Sequence, residues 1–365
     1  MAKRKRNTKA GNFFAFLVAI LLIFAMISTV STLLDYESIT GGSSESPKVE
    51  DIKPIVPGDD EEDDPLQTPY GRIPEEYAAD PDTYPILLFS NREVVWAGDR
   101  FGGESSYGGV LYQIYTNNKN YGDTVVYFQK DHTDVADPDN KLQTFYNFGM
   151  IKGEHVVDLN GFTFTASYNI FNAQAKNKNN TAEAKWIIKN GSIDLNEYTF
   201  LNIGSIKNDG NDYSMSCSYL IENINFVNIT TGKLASDHNR GSDFYVTKSD
   251  VIFRNCIFDI QQERTTELFY FGETNTSTFS IDIRIEGGEF HYVSENLPPL
   301  FNNHGFENKT FTLEKYDGNF PILRTAKNEA TSFDTPFNSS LGEAYFILGY
   351  DDSNYSYYYL GQRVE

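Results

Sequence analysis

Five segments of this chain repeat one another at an interval near 32 residues, and few folds accommodate that period. They read VVDLNGFTFTA, WIIKNGSIDL, YLIENINFVN, VIFRNCIFDI and IRIEGGEFHY. With Gly161, Asn190, Asn223, Asn255 and Gly287 as reference positions, the spacings are 29, 33, 32 and 32 residues. Four positions before the reference stand Val157, Trp186, Tyr219, Val251 and Ile283; two before stand Leu159, Ile188, Ile221, Phe253 and Ile285. Three after it stand Phe164, Ile193, Phe226, Phe258 and Phe290. Apolar side chains alternating with polar ones mark strands with one buried face. The phase of the alternation flips at the reference, which places a sharp bend there. Only Gly or Asn occupies it, the residues that tolerate a left-handed backbone.

A coil of about 30 residues follows, each strand pairing with its counterpart one turn later at about 4.8 Å. Asn190, Asn223 and Asn255, continued by Gly161 and Gly287, are then expected to stack as a structural ladder inside the bend. A second apolar stretch supplies the opposite wall: Ile170-Phe171, Phe200-Leu201, Phe244-Tyr245, Phe269-Tyr270-Phe271 and Leu300-Phe301. An antiparallel β-sandwich with coincidental repeats is the competing architecture, and a period held over four intervals disfavours it.

The bend, the Asn ladder and the opening coil VVDLNGFTF resemble the right-handed parallel β-helix superfamily, the pectate-lyase-like proteins. The resemblance covers roughly residues 110–333, counting Thr124 to Phe128 and the stretch 310–313 as outer coils. It implies an all-β fold, a right-handed parallel β-helix solenoid, and leaves activity open: lyases, hydrolases, epimerases, adhesins and tailspikes share the architecture. Polygalacturonase-like members carry paired aspartates, a Gly-His-Gly and an Arg-Ile-Lys. This chain offers only Arg284-Ile285-Glu286 and His304-Gly305, incomplete and in reversed order.

Solenoid ends expose unpaired strands and need covers. Residues 70–109 are expected to cap the first coil. Residues 334–365 are expected to form a C-terminal cap hairpin, from AYFILGY, the turn DDSN and YSYYYLG. Tyr355, Tyr357 and Tyr359 are read as hairpin core, with a sugar-stacking platform as the alternative.

Ahead of this domain, Phe13 to Leu34 run for 22 residues without a charge, enough to span about 33 Å as a helix. The basic cluster KRKRNTK precedes them, so residues 1–12 are expected in the cytoplasm and everything after the anchor outside the cell. A cleaved signal peptide is the rival reading. Residues 35–69, rich in Pro, Gly, Ser and acid, read as a disordered stalk. All 51 acidic residues follow Leu34 while five of the 30 basic ones precede it, so the remainder carries −26. That charge excludes nucleic acid as a partner. A membrane through the N-terminal helix and a glycan or cell-envelope ligand remain as expected partners, with oligomeric state open.

Chemistry is sparse. The largest insertion, Thr231 to Asp243, gathers the only catalytic candidates, Asp237, His238, Arg240 and Asp243, a set able to act as acid, base and charge clamp. His132, His155 and His291 are read as outward surface residues. Asp194 and Asp259 share an outward offset two coils apart, about 10 Å, too far to share one calcium. No cofactor or metal is therefore expected. Cys217 and Cys256 are read as buried small hydrophobes, a single bridge being the alternative. The expected function is a membrane-anchored surface protein binding or adhering to a glycan or envelope component. The alternative is an anchored polysaccharide lyase or glycoside hydrolase.

Overall fold

Three parallel sheets wind around one core in the computed structural model, which describes residues 64–102, 109–134, 152–167, 170–173, 183–203, 215–237, 246–261, 267–271, 280–292, 301–303, 309–326 and 337–362. The first sheet stacks Thr124–Phe128, Gly153–Asp158, the front halves of Glu183–Asp194 and Met215–Ile229, then Val246–Arg254, Ser280–Glu286, Lys309–Glu314 and Phe337–Ser339. Beyond the bend, the second sheet stacks His132–Thr133, Thr163–Thr165, the back halves of the two long strands, Ile257–Ile260, Glu289–Tyr292 and Ile322–Ala326. The third has five strands: Phe171–Ala173, Leu201–Ile203, Ala235–Asp237, Phe269–Phe271 and Phe301–Asn303. This is a parallel β-helix, all-β but for two helices among the described residues.

The periodic apolar positions build its core. Phe226, Phe258 and Phe290 sit in register and stack, with centroids 5.6 and 4.9 Å apart and planes within 21°. Each such ring removes a large apolar area from water, the dominant favourable term for a solenoid. On the outer face of the first sheet, Asp158, Lys189, Glu222, Arg254 and Glu286 occupy one row with alternating charge, and Arg254 pairs with both Glu222 and Glu286 at 3.5 and 2.7 Å. A one-coil slip would place like charges together, so this row helps to fix the stacking.

The bends differ from expectation in an informative way. Asn190, Asn223 and Asn255 do have φ of 60°, 54° and 50°, and Gly161 and Gly287 have 83° and 64°. Their side chains, however, lie outside the bend: Asn223 and Asn255 are exposed. The inside is filled by the next residue, Ile224 or Cys256, each buried. A left-handed residue at the corner turns its own side chain outward and its successor's inward. The ladder is also interrupted. The Asn255 amide donates to Asn223 at 2.7 Å, whereas Asn190 donates to Asp158 at 3.3 Å.

In the first coil Trp186 pairs with His155 and Ile188 with Val157, two residues away from the alignment based on Gly161. The turn here is longer, with Asn160 and Gly161 both left-handed. A slip of two preserves the side-chain parity of a strand, which is why the apolar pattern concealed it.

Three further expectations are corrected. Residues 110–121, assigned to the solenoid, are the helix Val110–Tyr121, which buries Val110, Leu111 and Ile114. With the antiparallel hairpin Ile86–Ser90 and Glu93–Gly98 it covers the first coil. The third-sheet strand of the Asn223 coil is Ala235–Asp237, preceded by buried Leu234, rather than Phe244-Tyr245. His155 is fully buried against Trp186 at 4.7 Å, with Thr124 Oγ1 2.8 Å from its Nδ1; the His132 side chain is 9% exposed.

At the other end, Gly342–Asp351 and Tyr355–Gly361 form an antiparallel hairpin that pairs with Phe337–Ser339 on one side and Ile322–Ala326 on the other. Both cysteines are free, and burial pushes each thiol up to about 12, so they remain inert apolar fillers. Among the described residues no helix is long and apolar enough to cross a membrane. Phe13 to Leu34 and residues 35–63 of the expected stalk lie outside them, whereas its last residues, 64–69, are ordered, Gln67–Thr68 pairing with Gly71–Arg72.

Candidate functional site

The last coil turns its bend differently from those before it. Between Lys309–Glu314 and Ile322–Ala326 the chain makes a tight turn, Asp317 and Gly318 having φ of 49° and 82°. Tyr316 and Asn319 exchange both backbone hydrogen bonds, at 2.9 and 3.0 Å. Two successive left-handed residues are the signature of a type I′ hairpin turn. A groove of about 530 Å³ at this turn is lined by Tyr316 and Phe320 together with Asn223, Asn255 and Gly287 of the preceding bends. The groove thus combines side-chain amides, two aromatic rings and the Glu289 carboxylate. Arg254 sits 5.5 Å from the Tyr316 ring and Lys315 sits 5.2 Å from Phe320, holding both rings in place.

The outer face of the second sheet continues from this groove. Glu289, Ile322 and Tyr359 occupy one row; Asp259, His291, Arg324 and Tyr357 occupy the next. The hairpin therefore corrects the expected use of its tyrosines. Ser356 and Tyr358 point inward and are fully buried, while Tyr355 and Tyr359 are exposed and Tyr357 is half-buried on the outer face. Tyr350, half exposed, stacks on Tyr357 at 4.5 Å and 11° and lies 6.3 Å from Tyr359. Gly349 permits this, because a Cβ there would meet the Tyr359 ring at 2.3 Å. The Arg324 guanidinium lies 4.5 Å from the Tyr355 ring and forms no ion pair among the described residues.

His291 Nε2 lies 2.6 Å from Glu289 Oε2, and this bond holds the Glu289 carboxyl below its usual range. A carboxyl held low is suited to act as an ionised acceptor or base and not as a general acid. Tyr357 and Tyr359 are pushed upward, chiefly by desolvation, which keeps their hydroxyls neutral donors and acceptors. No group of three His, Cys, Asp or Glu able to hold a metal occurs among the described residues.

Of the candidates drawn from sequence, Asp237 ends the strand Ala235–Asp237, while His238, Arg240 and Asp243 lie outside the described residues. Asp194 accepts a hydrogen bond from Asn228 at 3.0 Å, and Asp259 one from Gln261 at 2.6 Å. Tyr316, Phe320, Arg324 and Tyr350 were not legible as a site. The Asp317-Gly318 pair was a visible hairpin signal, but nothing in the sequence aimed it at the bend. No family model matches the chain, and no curated protein or solved structure matches it with significance.

Proposed function

We propose that this chain is a non-catalytic glycan-binding or adhesion module displayed on the cell surface. Phe13 to Leu34 serve as a single-pass anchor with the N-terminus in the cytoplasm, and the acidic segment after it is the spacer. The observation that carries this reading is the stacked, outward tyrosine cluster beside Arg324 and the amide-lined groove. Tyrosine gives rigid, amphipathic contact area at low entropic cost. A sugar ring presents an apolar C–H face to such rings and hydroxyls to amide and guanidinium donors.

The test is a polysaccharide panel offered to the full-length protein in detergent. Tyr350→Ala and Tyr359→Ala should each weaken binding about tenfold, as expected for loss of an aromatic contact, while melting temperature is kept. Absence of binding across the panel would remove the reading. The competing reading, an anchored lyase or hydrolase, rests on the Glu289–His291 pair; new reducing ends or unsaturated uronates that disappear in Glu289→Gln would establish it. Topology is checked separately. Protease added to intact cells or spheroplasts should cut near the acidic segment and release the β-helix, whereas a soluble mature form starting near Ser31 would make Phe13 to Leu34 a signal peptide.

A further inference from the structure

A second, open cleft of about 580 Å³ lies at the opposite end of the chain's solenoid, where the covering hairpin, the helix Val110–Tyr121 and the first coils meet. Its size is that of a small-molecule site. Tyr70, Val125 and Val156, each partly exposed, give it an apolar floor, and the buried Phe89 supports the Tyr70 ring from 6.4 Å. The polar groups divide between two sources. The hairpin turn contributes Arg92; the chain after the helix contributes Asp123.

Arg92 is an unusual residue for its place. Asn91 and Arg92 have φ of 51° and 67°, the two central positions of a type I′ turn, whose second position favours glycine. An arginine there is strained, and strain of this kind persists where surrounding structure holds it and where a ligand uses it. The surroundings do hold it. Gly71 packs so tightly on the turn that a Cβ would stand 2.1 Å from the Arg92 carbonyl oxygen. Ser90 Oγ donates to the Tyr121 carbonyl at 2.7 Å, tying the turn to the helix end. Among the described residues Arg92 forms no ion pair, in a chain whose exported part carries −26.

Asp123 is fixed too. Its Oδ1 accepts the Glu154 amide at 2.9 Å and sits 2.9 Å from where a Cβ on Gly153 would be. Glu154 pairs with Lys185 at 2.7 Å at the surface, and Asp123, exposed at the rim, is the other carboxylate lining the cleft. The helix C-terminus beside it adds negative potential.

We infer that this cleft is a binding site for a small amphiphilic zwitterion: an anionic group on Arg92, a cationic or donor group toward Asp123, and an apolar body over Tyr70 and Val125. Aromatic amino acids have this chemistry in its simplest form. The site is independent of the tyrosine face and of any glycan bound there.

The experiment titrates the full-length protein with L-phenylalanine, with 3-phenylpropionate, which lacks the ammonium, and with phenethylamine, which lacks the carboxylate. Saturable binding in about the millimolar range is expected for phenylalanine, as for ligands this small, and at least tenfold weaker binding for either analogue. Arg92→Gly should lose phenylalanine binding at least tenfold while melting at the same or a higher temperature, because glycine relieves the left-handed position. Asp123→Asn should lose binding of phenylalanine more than of phenylpropionate. No saturable phenylalanine binding to the unaltered protein, or equal binding by Arg92→Gly, overturns the inference.

Discussion

The middle and the ends of this solenoid obey different rules. From Asn223 through Asn255 to Gly287 the bends superpose at 32-residue steps, and behind the outward amides of Asn223 and Asn255 the next residue, Ile224 or Cys256, is buried. The first bend is two residues longer, and the last is replaced by a hairpin turn. A middle coil must match a repeat on both sides, so its geometry is dictated; an end coil matches one repeat and, on its other side, an antiparallel cover. Both cavities described above lie against irregular turns: one beside Tyr316 and Phe320, the other beside Arg92. In a repeat fold, departure from the repeat is the natural place to look for function.

The sharpest way to break this comparison is to remove a middle core ring. Phe258 stacks between Phe226 and Phe290 with no exposure. Phe258→Ala should cost about 3–5 kcal/mol, transfer and cavity terms together, read as a shift in denaturant midpoint. Leu323 occupies the same row in the last coil, next to the hairpin. Leu323→Ala should cost less, about 2–3 kcal/mol, because that end can close around the gap. Equal losses would mean that the ends are as constrained as the middle.

Two glycines with identical φ make the next comparison. Gly161 and Gly288 both have φ of 83°, but a Cβ on Gly161 meets open space while one on Gly288 would stand 2.1 Å from the Cys256 carbonyl oxygen. Gly161→Ala should cost only the left-handed penalty, about 1–2 kcal/mol. Gly288→Ala adds a backbone collision that no rotamer relieves, and should cost about 3 kcal/mol or more. Thermal melts of the two variants decide it.

The same contrast explains what could be read from sequence. The strands of the middle coils were legible because burial imposes alternation and the corner imposes Asn or Gly. The two-residue offset at Gly161 was invisible because Val157 and Leu159 remain inward under either alignment. The helix Val110–Tyr121 was obscured by three asparagines, poor helix formers, and is held by burial of Ile114 and its neighbours. The strand Ala235–Asp237 carried too little apolar signal to compete with Phe244-Tyr245. The tyrosines of YSYYYLG alternate plainly, but Tyr occupies both faces, so alternation alone could not say which set faces out.

The ladder itself should contribute less than a buried network would. Because Asn223 and Asn255 are exposed, Asn255→Leu loses one amide bond and gains left-handed strain, together about 1–2 kcal/mol. Asn255→Gly should cost under about 0.5 kcal/mol, since glycine accepts the φ freely. A large loss on Asn255→Gly would restore the amide ladder as a principal stabiliser.

The smallest effect concerns the edge of the groove and is expected to appear only in acid. The hydrogen bond from His291, with further attraction to His291 and Arg324, keeps the Glu289 carboxyl below its ordinary range against the opposing desolvation. A group whose folded pKa is depressed adds stability that is fully present above its unfolded value, about 4.3 for glutamate. That increment fades as pH falls through the lower folded value. Glu289 is 42% exposed at its side chain, so solvent screening limits the contribution to under about 1 kcal/mol. Glu289→Gln should therefore be slightly destabilising at neutral pH, and the gap from the unaltered protein should narrow as pH drops below about 4. A gap that stays constant through acid would show that the carboxylate's charge contributes nothing and that only its shape matters at the groove.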